Sequence, residues 1–371
     1  MGERANEDRA VGLAEAASAA PCTPAFDEAP SPAPGAAKTG VLLVNTGSPD
    51  APEAAAVRRY LARFLMDPRI VPMNRVGWWL ILHLFILPRR GTASAAKYAR
   101  IWTDEGSPFT VAHDRLRSGL QQLLGREGHA AEVRCAMSYS DPDVPHELAA
   151  LRDAGCTRLT VLPLYPQSAY STTGSVRDTV TAALADLRWT VPFDFIDHYY
   201  DVPAYRQAIA GSIAQAGFGA HPDDRLLFSY HGIPTADVDA GDTYGAQTRE
   251  TSEAAARSLG IDATRWAVGY HSRFDKGRSW LSPFTRTILE QWAASGGGRV
   301  FVVCPNFAVD CLETLYDIEF ELKPHYLDCL RRAGHEPRAD EFTYVRCLDR
   351  SQAHVRVLAS VLDGHVDARN G

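Results

Sequence analysis

The sequence lacks a run of apolar residues long enough to cross a bilayer. A spanning helix needs about 20 of them, and the one candidate, Gly77-Trp78-Trp79-Leu80-Ile81-Leu82-His83-Leu84-Phe85-Ile86-Leu87, meets Pro88 first. Basic charge is also short: 38 Lys and Arg face 45 Asp and Glu, a net charge of −7. With no Lys/Arg-rich run to make a local patch, nucleic acid is not an expected partner. Cysteine is sparse and scattered. Cys22, Cys135, Cys156, Cys304, Cys311, Cys329 and Cys347 form no C-x-x-C pair, which removes the common zinc-ribbon and iron–sulfur spacings and suits reduced thiols in a cytoplasm. The first 38 residues have no apolar core for a signal peptide, and their acids argue against a transit peptide. Their Ala-, Pro- and acid-rich composition predicts a disordered tail over 1–38.

What remains is the composition of an ordinary globular protein, 46% hydrophobic and 22% charged over 371 residues, enough for two domains. Short β-rich runs alternate with helical patterns. Val41–Val44 leads through Asn45-Thr46-Gly47-Ser48-Pro49 into a helix from about Pro52 to Phe64, and Arg158–Leu164 ends in the polar loop Tyr165–Ser175. The pattern resumes with Leu226–Tyr230, Arg265–Tyr270 and Arg299–Val303, the last followed by a long helix opening near Asp310. The expected fold is α/β: two Rossmann-like, doubly wound parallel-sheet domains, 39–205 and 206–371, facing a central cleft. A final helical stretch, Ser351–Leu362, is expected to pack back on the first domain. No internal repeat is strong enough to indicate duplication.

In such sheets ligands bind at the carboxyl ends of the strands. Five polar clusters fall there: Asn45–Pro49, Tyr165–Ser175, His231–Pro234, His271–Arg273 and Cys304–Glu313. His231 follows an apolar strand directly and is held by Gly232 and Pro234, so its ring should project into the cleft as a metal ligand or proton acceptor. A histidine at a strand end is, by itself, as readily structural. Glu313, Asp317 and Glu321 recur at i, i+4 and i+8, one face of a helix. Most acidic stripes are solvated faces. This one follows Cys304-Pro305-Asn306-Phe307 out of a strand end into the cleft, where a row of carboxylates would attract a hydrated divalent cation and carry protons the other way.

At these residues the chain resembles the ferrochelatases. Leu227-Phe228-Ser229-Tyr230-His231-Gly232-Ile233-Pro234 is similar to the family's histidine motif, and Cys304 through Asp310-Cys311-Leu312-Glu313-Thr314-Leu315 to its glutamate motif. Between them stand Tyr244-x-x-Gln247, His271-Ser272-Arg273 and Trp280-Leu281-Ser282-Pro283 in the family's order. Upstream, Tyr165-Pro166-Gln167 with Ser171–Ser175, and Gly106-Ser107-Pro108, match further motifs, so the resemblance runs from about 40 to 362. Two positions depart from the pattern: His271 where the family usually has Gln, and Asn306 where it has Gly. His271 adds a possible metal ligand or proton acceptor. The cysteine-rich tail that holds a [2Fe–2S] cluster in some members is missing, so no cluster is expected.

The resemblance implies insertion of Fe(II) into a porphyrin to make haem, with no cofactor beyond the Fe(II) substrate. It makes His231 and Glu313 the metal and proton-transfer pair, with Asp317 and Glu321 extending the path to solvent. It places Arg90, Tyr98, Ser107, Thr46 and Tyr165 around the porphyrin. The Trp78–Leu87 stretch is expected either as a core helix or as an apolar lip that walls the substrate site and touches a membrane surface. In this family a tyrosine at the position of Thr46 often accompanies use of coproporphyrin. Thr46 and the apolar lip together point to protoporphyrin IX, since burying two extra propionates against Trp and Leu is costly. Coproporphyrin III is the alternative substrate. A Co(II) or Ni(II) chelatase is a further reading, favoured by His271 and opposed by the lip; a non-catalytic porphyrin or haem carrier would have no use for the carboxylate row. The expected location is cytoplasmic with peripheral membrane contact, and the expected state a monomer or homodimer.

Overall fold

A computed structural model describes residues 37–273 and 277–366. Eight strands form two sheets of four, every pairing parallel. The first holds β1 (Thr39–Asn45), β2 (Ala131–Met137), β3 (Arg158–Pro163) and β4 (Phe193–Phe195); the second holds β5 (Arg225–His231), β6 (Trp266–His271), β7 (Val300–Val303) and β8 (Phe342–Val345). The strand orders are β2-β1-β3-β4 and β6-β5-β7-β8. The two halves therefore share one topology, although the sequence carries no visible repeat. Topology is set by where apolar runs and crossovers fall, which many sequences satisfy.

β1 and β5 are central strands flanked on both sides, so they read as unbroken apolar runs. Three strands escape the sequence reading for a physical reason. β2 is an edge strand that alternates Glu132 and Arg134 with buried residues, and these two charges pair at 2.8 Å; β4 and β8 are only three and four residues long. The first helix runs Ala54–Leu65 and the last Gln352–Leu362, close to the expected bounds. Most of the expected tail lies outside the described residues. Its last residue does not behave as tail: the Lys38 carbonyl accepts from the Thr157 N–H at 2.9 Å, and Nζ pairs with Glu132 at 3.1 Å.

One continuous core joins the sheets. Val41 and Leu43 of β1, Leu226 and Phe228 of β5, Leu116 and Leu120 of the helix Pro108–Arg126, and Val355 and Leu358 of the last helix all belong to it. The last helix thus lies against an element of the first half, where Gly119 allows the approach: a Cβ there would sit 3.0 Å from Val355.

The segment after Arg75 corrects the sequence reading. Pro88 does not end it; the helix Arg75–Ile81 passes through a π turn, Leu82–Ile86, into a further helix, Leu87–Ile101. Pro88 follows just after the π turn. The core and lip readings each hold for one face. Trp78, Leu82 and Leu87 are buried with Leu65 and Val71, and the Trp78 Nε1–H donates to the Leu65 carbonyl at 2.7 Å. Trp79, Leu84 and Phe85 are 48%, 62% and 58% exposed. No helix among the described residues is long and apolar enough to cross a membrane.

Candidate active site

The carboxyl ends of β1, β3, β5, β6 and β7 open on one cavity of about 550 Å³, within the range of small-molecule sites. All five polar clusters of the sequence contribute to its wall, from Asn45 to Glu313.

His231 closes β5 and lines the cavity. Its main chain is pinned on both sides: the Tyr244 hydroxyl donates to the His231 carbonyl at 3.0 Å, and the Gly232 N–H donates to the His271 carbonyl at 2.9 Å. The ring Nδ1 lies 2.7 Å from the Gly232 carbonyl. A carbonyl only accepts, so Nδ1 carries a hydrogen, and the lone pair that the ring can offer is the one on Nε2. The side chain is therefore set as a base or ligand through Nε2.

The acids stand opposite on a helix that is not the single α-helix the spacing suggests. Glu313 lies in a four-residue α turn, Leu312–Leu315; a π turn, Asp317–Leu322, follows, and α geometry returns only at Lys323–Arg332. The start is fixed by Thr314, whose hydroxyl donates to Asp310 Oδ1 at 2.9 Å and accepts from the Cys311 N–H at 2.9 Å. Glu313, Asp317 and Glu321 all line the cavity despite the wider turn.

Asp317 sits in a perturbing environment. Burial, and then the Glu313 charge, push its carboxyl up to about 7, against the pull of Ser272 and Lys97. Its Oδ2 accepts from the Ser272 hydroxyl at 2.5 Å, and Ser272 holds that position at φ 56, a left-handed conformation unusual for a serine. Glu321, nearer solvent, pairs with Lys97 at 2.7 Å. A carboxyl raised in the fold costs stability as pH climbs from its unfolded value near 4 to its folded value near 7. Asp317→Asn is thus expected to raise Tm by about 2–5 °C at pH 8, with the gain shrinking to nothing near pH 4. A thermal melt series across that range checks it, and a gain independent of pH would show that Asp317 carries no such penalty.

The remaining candidates are also gathered here. Thr46, Arg90, Tyr98, Ser107 and Tyr165 all line the cavity. Thr46 and Tyr165 bond hydroxyl to hydroxyl at 2.9 Å, and Ser107 bonds Ser48 at 2.7 Å. Burial, then the Glu313 charge, raise the Tyr98 phenol, which stays neutral.

Two expectations need correction. The Trp78–Leu87 stretch does not line the cavity; its buried face is used against Leu65 and Val71, and Leu61, Phe64, Ile70, Ile101 and Phe307 supply the apolar wall instead. His271 is not at the cavity surface. It is buried behind His231, with Nδ1 2.8 Å from the Ser229 hydroxyl. Burial first, and then His231, lower it to about 3, so it stays neutral, and Nε2 has no hydrogen-bond partner.

Sequence reasoning missed Tyr60, Phe64, Arg69, Lys97 and Arg278, which also line the cavity. Tyr60 and Phe64 stack at 6.2 Å, an i, i+4 aromatic pair that the sequence could have shown. Nothing local marks Arg69 or Lys97, whose partners Asp178 and Glu321 are 109 and 224 residues away. Among the described residues, no group of three or more His, Cys, Asp or Glu is placed to hold a metal ion.

The ferrochelatase family model matches residues 38–366. A ferrochelatase from Herminiimonas arsenicoxydans is 41% identical over 329 residues, covering 89% of this chain and 87% of the relative. One from Azoarcus sp. (strain BH72) is 43% identical over 324 residues, covering 87% and 86%. In fold, the chain is similar to the solved structure of SirB from Bacillus subtilis with Fe3+, at a TM-score of 0.50 and 11% identity, over 89% of this chain and 99% of that one. The motifs quoted above fall within the matched span, and the chain belongs to the ferrochelatase family, whose chemistry is insertion of a metal into a porphyrin.

Proposed function

We propose that this protein inserts Fe(II) into protoporphyrin IX to form haem b, with His231 and Glu313 at the metal and proton-transfer site. The observation that carries the reading is His231, its Nδ1 bonded to the Gly232 carbonyl and its Nε2 free of the main chain, sharing one cavity with the acids Glu313, Asp317 and Glu321. The balance is simple. Two pyrrole N–H bonds break, the four ring nitrogens bind Fe(II), and two protons leave. His231 Nε2 takes a pyrrole proton; Glu313 meets the metal or the second proton. Asp317, titrating near neutrality, passes protons toward Glu321 and solvent. Iron is a substrate here, and the reading requires no resident cofactor.

For the substrate, the support is Thr46 in place of a tyrosine and a wall built from Leu61, Phe64, Ile70, Ile101 and Phe307. Arg69, one of the cations of the cavity wall, is already committed to Asp178 at 2.5 Å. Coproporphyrin III would bury two more carboxylates against that wall, at a cost. Anaerobic turnover with Fe(II) and each porphyrin, followed by absorbance, is expected to give a several-fold higher kcat/KM for protoporphyrin IX. The reverse ratio would assign the site to coproporphyrin III.

The protein is placed in the cytoplasm, with the exposed face of the lip resting on a membrane surface. The lip bears on the substrate by collecting an apolar porphyrin from a bilayer rather than by walling the cavity. Trp79→Ser with Leu84→Ser and Phe85→Ser is expected to abolish co-sedimentation with lipid vesicles while leaving Tm within about 2 °C, because these side chains support no core. Trp78 must be spared, since it is buried and hydrogen-bonded. Undiminished vesicle binding by the triple variant would remove the membrane proposal.

A further inference from the structure

Lys97 stands where the metal path meets the lip. It belongs to the helix Leu87–Ile101, which continues directly from the lip, yet its ammonium is spent on the opposite half of the protein. Nζ lies 2.7 Å from Glu321 Oε1, 3.7 Å from Asp317 Oδ1 and 4.7 Å from the centre of the Tyr316 ring. One turn on, the Arg100 guanidinium stacks on Phe320 at 4.2 Å. Each partner lies in or beside the π turn Asp317–Leu322.

This arrangement is a competition. Resting on the proposed role of Asp317 and Glu321 in metal entry, we infer that Lys97 is a built-in counter-ion that an incoming divalent cation must displace from these two carboxylates. An ammonium 2.7 Å from Glu321 Oε1 repels a dication arriving at the same carboxylate and holds one of its two oxygens, so Fe(II) and Lys97 compete at Glu321. Asp317 is less engaged, at 3.7 Å, and its other oxygen is held by Ser272. Glu321 is therefore where the exchange starts. The device offsets the repulsion between the two carboxylates. It also ties the lip helix to the π turn, so metal arrival releases that tie.

The substitution Lys97→Met keeps the apolar stem and removes the charge. The side chain is a third exposed, so the pair is of the partly screened kind. Removing it is expected to lower the apparent KM for Fe(II) by about three- to tenfold, with the change in KM rather than kcat. Lys97→Arg, which restores a cation, should return KM toward the wild-type value. As a readout independent of turnover, Co(II) titrated into the porphyrin-free protein should bind correspondingly tighter in Lys97→Met, followed by its visible absorption. An unchanged or raised KM for Fe(II), or unchanged Co(II) affinity, in folded Lys97→Met overturns the competition. Asp317→Asn and Glu321→Gln separate this from the underlying reading: if both leave the KM for Fe(II) untouched, the carboxylate path itself fails. If they raise it while Lys97→Met does not lower it, only the role of Lys97 fails.

Discussion

His231→Ala is expected to lower kcat for iron insertion by about 10²–10³, the range that a positioned general base contributes, while Tm changes little. The two halves of that expectation have separate causes. The rate falls because the ring supplies the Nε2 lone pair at the cavity, and His271 cannot replace it: that ring is buried, does not line the cavity, and is bonded through Nδ1 to Ser229. Stability holds because, among the described residues, the one hydrogen bond of the ring is to the carbonyl of the next residue, Gly232. The strand end is fixed by main-chain bonds and by Tyr244, which survive the substitution. Steady-state kinetics and a thermal melt on one preparation check both. A folded variant turning over at the wild-type rate would remove His231 from the chemistry.

His231 was legible because a period-breaking polar residue at the end of Leu226–Tyr230 can only be at a strand terminus, and strand termini of parallel sheets face ligand. The same logic found all five polar clusters at the cavity. It failed where partners are remote in sequence. Lys97 reads as one more cation on an exposed helix, and only the packing of the two halves brings it to Glu321. The π turns were beyond reach for another reason. Glu313, Asp317 and Glu321 at intervals of four fit an α-helix on paper, and the departure from it at Asp317–Leu322 coincides with tertiary contacts that are remote in sequence, Ser272 on Asp317 and Lys97 on Glu321. The lip was half legible. Its composition marks an apolar helix, but which face is core depends on Leu65 and Val71 lying beneath Trp78.

Where these π turns lie bears on function. All three found among the described residues occur at or beside the cavity: Leu82–Ile86 joins the lip to the helix of Arg90 and Tyr98, Tyr170–Gly174 carries Ser171 and Thr172 of its wall, and Asp317–Leu322 carries two of the acids. Such insertions are poor helix geometry kept at sites that use it. The raised carboxyl of Asp317 and the left-handed Ser272 beside it are costs of the same kind, concentrated on one wall.

Glu313→Gln is the companion test, with an expected loss of kcat of about 10², and it reads more than a rate. The amide keeps the shape of the carboxyl but cannot take a proton or neutralise Fe(II). The Glu313 charge is also the largest influence on Asp317 after burial. Its removal should let the Asp317 carboxyl fall from about 7 toward its ordinary value, so the acidic limb of the residual pH–rate profile should move to lower pH. The same loss of repulsion is expected to raise Tm slightly above pH 7, in the direction predicted for Asp317→Asn. A carboxylate serving only to attract iron would behave differently: its loss would appear in the KM for Fe(II) and be overcome at high metal concentration. A defect that persists at saturating Fe(II), with a displaced acidic limb, places Glu313 at the reacting atoms; a defect that saturation removes places it on the path with Asp317 and Glu321.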